Sequence, residues 1–240
     1  RPPMTPFAFA PPRVDWTSLF PMIVVAVAGM IALILESAQP RRRNDLILAV
    51  SLSGLLIAGA SLLIGFGSGT AQSFAGSLIL DPLGRVGQLL VVFATALVLL
   101  FSEEYLRRMR IPFGEFYPLL LWSSLGAMML CVTSNLLVMF LGIEVLSLAL
   151  YTLAGLNRGH ERSEESALKY FLLGAFATCF FLLGAVLLYG ATGTLDFTRF
   201  AAVWEANAAG DRLLLGAGFG MVFVGLGFKC SFVPFHQWTP

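Results

Sequence analysis

Seven long apolar segments, separated by short polar stretches, dominate the pattern of this chain. Their approximate limits are residues 19–37, 46–66, 83–101, 116–133, 135–156, 167–190 and 212–233. Each is close to the roughly 20 residues that a helix needs to cross about 30 Å of hydrocarbon. Because a segment in lipid must satisfy its own backbone hydrogen bonds, the pattern predicts about seven membrane-spanning helices.

Composition supports the same fold class. Of the 240 residues, 58% are hydrophobic and only 12% are charged, whereas a soluble domain carries about 25% charged residues. We therefore expect an all-α, polytopic membrane helix bundle. The net charge of +1 gives no reason to expect a nucleic-acid partner. The three cysteines lie far apart in apolar runs, which argues against metal, iron–sulfur and disulfide sites.

Arginines are unevenly distributed between the connections. Three alternate connections carry eight of them: Arg41, Arg42, Arg43, Arg107, Arg108, Arg110, Arg158 and Arg162. The other side has Arg1, Arg13, Arg199 and Arg212, with Arg85 at a helix end. The positive-inside rule then places the eight-arginine side in the cytoplasm and the N-terminus outside.

The connection 191–211 differs from the others because its polarity is mixed. Its apolar residues have the spacing of one face of a short helix lying at the membrane surface. They are Leu195, Phe197, Phe200, Ala201 and Trp204.

Glu144 is a carboxylate in the middle of an apolar segment, where a charge costs about 2.5–3.5 kcal/mol on insertion scales. Ionisable residues at such depth are functional by default, so Glu144 is a candidate proton-exchanging group. The alternative is a structural hydrogen bond to another helix, through Ser147 or Tyr151.

The only two lysines, Lys169 and Lys229, also fall inside apolar segments. Lysine exchanges its proton far more readily than arginine when it is buried. Lys229 follows sixteen uncharged residues, and Pro234 predicts a kink or break in the helix there. Irregular backbone at membrane depth is typical of helices that line a cavity. The alternative is a lysine near a helix end whose ammonium group reaches the membrane surface.

Lys169 is open to two interpretations. It lies four residues after Glu165, the spacing and order that favour an ion pair along a helix. A surface pair at the membrane boundary and a role in proton handling are equally compatible with this pattern.

Three segments resemble the antiporter-like subunits of respiratory complex I, the proton-translocating NADH–quinone oxidoreductase. They are FLGIEVLSLALYTLAGLNR (140–158), SEESALKYFLLGAFATCFFLLGAVLLYGATGTL (163–195) and GLGFKCSFVPFHQWTP (225–240). The related sodium/proton antiporters share the glutamate helix and the lysine followed by Pro-x-His-x-Trp. The amino-acid sequences of the first two segments are more similar to the subunit N branch of the bacterial complex.

The resemblance implies a proton-transfer site made of Glu144, Lys169, Lys229 and His236. It implies a broken last helix and a chain that holds only the N-terminal half of the family fold. Residues 1–133 would form spans one to four, and 134–240 would carry the proton-channel motifs.

The resemblance also implies a place in the bacterial inner membrane, beside other membrane-arm subunits and especially other antiporter-like ones. No cofactor is expected in this chain, since NADH, FMN, iron–sulfur clusters and quinone would belong to partner subunits. Two alternatives stay open: a subunit of a multisubunit sodium/proton antiporter, and a non-catalytic membrane scaffold.

Overall fold

The computed structural model describes residues 14–38, 44–109, 114–206 and 212–238. Eight α-helices lie in these ranges: α1 (Trp16–Ala38), α2 (Asn44–Ile64), α3 (Pro82–Arg108), α4 (Phe116–Leu130), α5 (Leu136–Ala154), α6 (Glu161–Thr192), α7 (Phe197–Ala206) and α8 (Arg212–Lys229). The N-terminal tail 1–13, the arginines at 41–43, Arg110 and Pro240 lie outside the described residues.

The prediction of a helical membrane bundle is confirmed. Six of the described helices, α1, α2, α3, α5, α6 and α8, are long and apolar enough to cross a membrane. The segment predicted at 116–133 forms α4, which is apolar but has only 15 residues. At 1.5 Å per residue α4 is about 22 Å long, shorter than the hydrocarbon layer.

A short β-hairpin, absent from the sequence prediction, joins α2 to α3. Strands β1 (Ala71–Ser73) and β2 (Leu78–Leu80) pair antiparallel. The hairpin connects several elements at one end of the bundle. Asp15, just before α1, donates its backbone N–H to Ser73 Oγ at 3.0 Å, and Ser134, before α5, donates its own to the Ser77 carbonyl at 3.1 Å.

Two ion pairs join connections at the opposite end. Arg107, near the end of α3, is 3.8 Å from Asp45 in the first turn of α2. Arg158, after α5, is 2.8 Å from Glu115, just before α4. The connections that carry Arg107 and Arg158 therefore lie on one side, as the alternation of spans predicts.

Arg85 lies at a helix end, as expected, but its side chain is buried. It lies in the first turn of α3 with only 3% of its surface exposed. One guanidinium nitrogen donates to Ser68 Oγ at 3.1 Å. The positive charge on this side of the bundle is thus partly internal.

Two hydrophobic clusters fill the described part of the bundle. The first is built by α1 to α4 and includes the buried side chains Leu55, Leu99 and Leu121. The second is built by α5, α6 and α8 around Phe181, Leu188 and Leu215. The division of the chain into domains at residues 133 and 134 stays a prediction.

Helices α6 and α8 approach closely because glycines lie between them. A Cβ on Gly184 of α6 would fall 2.6 Å from the Gly218 carbonyl oxygen, and a Cβ on Gly225 would fall 2.7 Å from Phe181 Cβ. Small residues permit such contact between membrane helices. The second cluster therefore holds α8 firmly against α6, next to the Lys229 end.

The interruption after α8 is present, but Pro234 does not set its position. The helix ends at Lys229, five residues before the proline. Ser231 has a φ of 56°, and the backbone bonds Phe232 N–H to Gly227 carbonyl and Ser231 N–H to Phe228 carbonyl form a Schellman motif. The expected kink at Pro234 was wrong in position, since this motif ends the helix earlier.

The amphipathic helix predicted within 191–211 is α7. Phe197 and Phe200 pack against the second hydrophobic cluster, and the Phe200 ring meets the Phe219 ring edge-on at 5.8 Å. Trp204 remains 45% exposed. Only part of the predicted apolar face therefore contacts the bundle.

Candidate functional site

A polar stripe runs along the second half of α5. The helix starts at the cap of Asn135, whose side chain accepts the Leu137 N–H at 2.9 Å. Glu144, Ser147 and Tyr151 follow at spacings of three and four residues, which places them on one face of the helix. Ser147 is 0% exposed and Tyr151 is 6% exposed. The stripe therefore faces the protein interior.

Lys229 reaches this stripe from the end of α8. Its Nζ donates to Ser147 Oγ at 2.7 Å and to Tyr151 Oη at 2.9 Å. The nitrogen also lies 5.3 Å from the centre of the Tyr151 ring, within the range of cation–π attraction. A position at the C-terminal end of α8 favours a cation as well. The half-buried ammonium group is thus held by neutral groups and a helix end.

Glu144 is held by a different helix. Thr178 on α6 donates its hydroxyl to Glu144 Oε1 at 2.8 Å. Among the described residues, the ion pairs do not include one between Glu144 and Lys229. Glu144 lies on the face of α5 that Lys229 contacts, but the two side chains do not form a salt bridge with each other. The charge of each can therefore influence the protonation of the other.

A small cavity lies between Thr178 and Lys229. Its volume is about 10 Å³, and Phe140, Ile143, Phe181 and Gly225 complete its walls. This volume is near the lower limit for one water molecule. Thr178 therefore borders both Glu144 and the space beside Lys229.

Aromatic side chains surround the lysine end of the site. The Tyr170 ring meets the Tyr151 ring edge-on at 4.6 Å and stacks on the Trp238 ring at 4.6 Å. Trp238 donates its indole N–H to the Phe228 carbonyl at 2.8 Å. The segment after α8 thus folds back over the end of the helix and packs on α6.

The four predicted site residues do not all meet. Glu144 and Lys229 share the α5 face, whereas Lys169 is exposed and forms an ion pair with Glu165 one turn earlier on α6. His236 is exposed on the segment that follows α8. The roles of Glu144, Lys169, Lys229 and His236 in proton transfer stay predictions.

Sequence reasoning missed the partner of Glu144. It suggested Ser147 or Tyr151 as structural partners of that carboxylate, but both contact Lys229 instead. Thr178 gave no signal, because a threonine in an apolar helix is usually bonded to its own backbone.

Comparisons with known proteins identify relatives of this chain. Residues 133–240, which contain Glu144, Thr178 and Lys229, match the family described as NADH:quinone oxidoreductase/Mrp antiporter, transmembrane. The chain is 36% identical over 223 residues to NADH-quinone oxidoreductase subunit N of Trichlorobacter lovleyi. That alignment covers 92% of this chain and 45% of the relative. The chain thus spans about half the length of the curated relatives it matches.

Solved structures share the fold. A chain of respiratory complex I from Thermus thermophilus, solved with bound aureothin, is 36% identical, with a TM-score of 0.72. The match covers 92% of this chain and 46% of that one. A chain of the Mrp complex from Dietzia sp. is 21% identical with a TM-score of 0.74, and the match covers 94% of this chain and 43% of that one. At 21% identity, the Mrp likeness supports the fold alone.

These findings confirm the resemblance read from the three segments. Over residues 133–240 the chain matches the NADH:quinone oxidoreductase/Mrp antiporter transmembrane family, and over 92% or more of its length it is similar to subunit N of NADH-quinone oxidoreductases.

Proposed function

We propose that this chain is part of a proton-translocating membrane subunit of an NADH–quinone oxidoreductase. The proposal rests on one observation: Lys229 donates hydrogen bonds to the face of α5 on which Glu144 also lies. The 36% identity to subunit N supports the same assignment.

In this proposal the protonation of Lys229 depends on the charge of Glu144. A nearby carboxylate favours the charged form of a lysine, while removal from water favours its neutral form. Because the two groups are not locked in an ion pair, a small shift of α8 against α5 changes the balance between these effects. Lysine then releases or takes up a proton as the helices move.

The driving reaction belongs to partner subunits. NADH, FMN, iron–sulfur clusters and quinone would be bound there, and this chain would lie beside other antiporter-like subunits of the membrane arm. The likeness to bacterial subunit N supports a place in the bacterial inner membrane. The N-terminus would lie outside, because eight arginines occupy connections on the other side.

Replacing Glu144 by Gln and Lys229 by Ala in the full-length subunit of the assembled complex tests the proposal. We expect quinone reduction by NADH to pump fewer protons per electron in both variants. Glu104→Gln removes a carboxylate from an exposed position near the end of α3 and serves as the control. Normal pumping per electron in both site variants would contradict the proposed mechanism.

The same variants separate the alternatives when sodium transport and assembly are measured as well. A sodium/proton antiporter subunit would move sodium without NADH oxidation, and the site variants would abolish that transport. A scaffold would lose assembly in the variants while each assembled complex pumped normally.

A further inference from the structure

Thr178 has two acceptors for a single proton. Its hydroxyl oxygen lies 2.8 Å from Glu144 Oε1 and 2.9 Å from the carbonyl oxygen of Gly174, one turn earlier on α6. A hydroxyl group carries one donor hydrogen and can also accept. It therefore donates to one of these oxygens at a time.

The protonation state of Glu144 decides between the two. An ionised carboxylate only accepts hydrogen bonds, so Thr178 then donates to Glu144. A protonated carboxyl group can donate its own hydrogen to Thr178 Oγ1, and the threonine hydrogen then turns to the Gly174 carbonyl. Thr178 and Glu144 therefore stay hydrogen-bonded to each other in both states, without movement of either helix.

From this geometry we propose that Thr178 is a positioning residue that sets the protonation equilibrium of Glu144. The direction of its hydroxyl hydrogen changes with the protonation state of Glu144, next to the cavity that Lys229 also borders. This inference rests on the proposed function for its purpose, although its physical content does not depend on pumping. Thr178 suits the role because it is 9% exposed and borders the same cavity of about 10 Å³ as Lys229.

Groups from α4, α5, α6 and α8 lie around Glu144. Tyr151 on its own helix and Lys229 on α8 are titratable groups close enough to be influenced by its charge. Helix α4 meets α5 at this level through Gly126, which packs on Gly142 and Leu146. Thr178 is thus the hydrogen-bond donor that α6 supplies to the carboxylate.

The test compares Thr178→Val, which keeps the shape and removes the hydroxyl, with Thr178→Ser, which restores it. Thr152→Val is a matched control, since the exposed Thr152 on α5 also bonds a carbonyl one turn back, that of Leu148 at 3.0 Å. Infrared difference spectra of the assembled complex, recorded between buffers of different pH, follow the carboxyl band of Glu144. Loss of that band in Glu144→Gln identifies it.

The Thr178 hydroxyl bonds both forms of Glu144, but its bond to the charged form is the stronger one, and the loss of that difference shifts a protonation equilibrium about tenfold. We expect Thr178→Val to shift the Glu144 equilibrium about tenfold towards the protonated form. Thr178→Ser and Thr152→Val should stay close to the wild type. An unchanged band midpoint in Thr178→Val, or a failure of Thr178→Ser to restore it, would overturn the inference. If Thr178→Val does not assemble, Thr178→Ala provides the same comparison.

The readout separates this inference from the proposed function. If Glu144→Gln and Lys229→Ala both pump normally, the proposed function fails, but the band midpoint still decides the role of Thr178. If pumping depends on Glu144 and the midpoint is the same in Thr178→Val and the wild type, only the threonine inference fails.

Discussion

The Tyr151 hydroxyl on α5 rests directly on the backbone of Gly174 on α6, where a side chain would overlap it. The same hydroxyl accepts a hydrogen bond from Lys229 at 2.9 Å. Three helices therefore meet at one oxygen atom. The absence of a side chain at Gly174 is what permits Tyr151 to reach the lysine.

Gly174→Ala should displace the Tyr151 hydroxyl from Lys229. We expect fewer protons pumped per electron, together with a loss of stability of about 1–3 kcal/mol from overpacking. The measurements are proton pumping in membrane vesicles, normalised to the amount of assembled complex, and thermal unfolding in detergent.

Gly190→Ala is the matched control on the same helix, because the nearest atom to its added Cβ would be Leu214 Cδ2 at 4.0 Å. If the two variants behaved alike in both measurements, the contact between Gly174 and Tyr151 would have no functional weight.

Tyr151→Phe removes only the hydroxyl that accepts from Lys229 and keeps the ring, whose centre lies 5.3 Å from the ammonium nitrogen. A hydrogen bond to a charged group contributes about 1.5–3 kcal/mol. The charged lysine should therefore be less favoured by about tenfold or more. We expect a changed pH profile of proton pumping with little loss of assembly.

Tyr170→Phe serves as the comparison for Tyr151→Phe, because Tyr170 contributes its ring to the same cluster. The ring contacts with Tyr151 and Trp238 would remain in that variant. Equal pH profiles for Tyr151→Phe and the wild type would show that Ser147 alone holds Lys229.

The sequence was sufficient to predict six of the seven apolar segments as helices of membrane-spanning length, and to single out Glu144 and Lys229 within them. Long apolar runs must form helices in lipid whatever their neighbours are. Glu144 and Lys229 could be found because a charge within such a run is costly and so stands out. Neither inference needs knowledge of how the helices pack.

Contacts between helices could not be predicted in the same way. Thr178 faces Glu144 only because of the rotation of α6 against α5, and no apolar periodicity fixes that rotation when all faces are apolar. The end of α8 depends on the left-handed conformation of Ser231, whereas the sequence drew attention to Pro234. The hairpin was missed because strands of three residues show no clear alternation.

Variants of Lys169 and Glu165 can separate the two interpretations of Lys169, a surface ion pair and a role in proton handling. Both side chains are more than half exposed, with 67% and 61% of their surfaces accessible. An exposed ion pair adds little to stability. We therefore expect Glu165→Gln to leave pumping within about twofold of the wild type, since it removes only the partner.

Lys169→Gln should lower the number of protons pumped per electron if the lysine is part of the relay. The comparison uses equal amounts of assembled complex in membrane vesicles. If Lys169→Gln and Glu165→Gln pumped equal numbers of protons per electron, Lys169 would only form an ion pair at the surface.

Arg85 permits a prediction about stability that is independent of the proton site. It is 3% exposed, and its Nη1 atom has no hydrogen-bond partner among the described residues. A buried charge without a full set of partners costs free energy, and an apolar residue of similar length often replaces it without loss. Arg85→Met should therefore have a thermal unfolding midpoint equal to or above that of the wild type.

Arg85→Ala should unfold at a lower temperature, because truncation leaves a cavity next to Ser68 and Leu80. If Arg85→Met were as unstable as Arg85→Ala, the guanidinium group would itself be a stabilising contact at this end of the bundle.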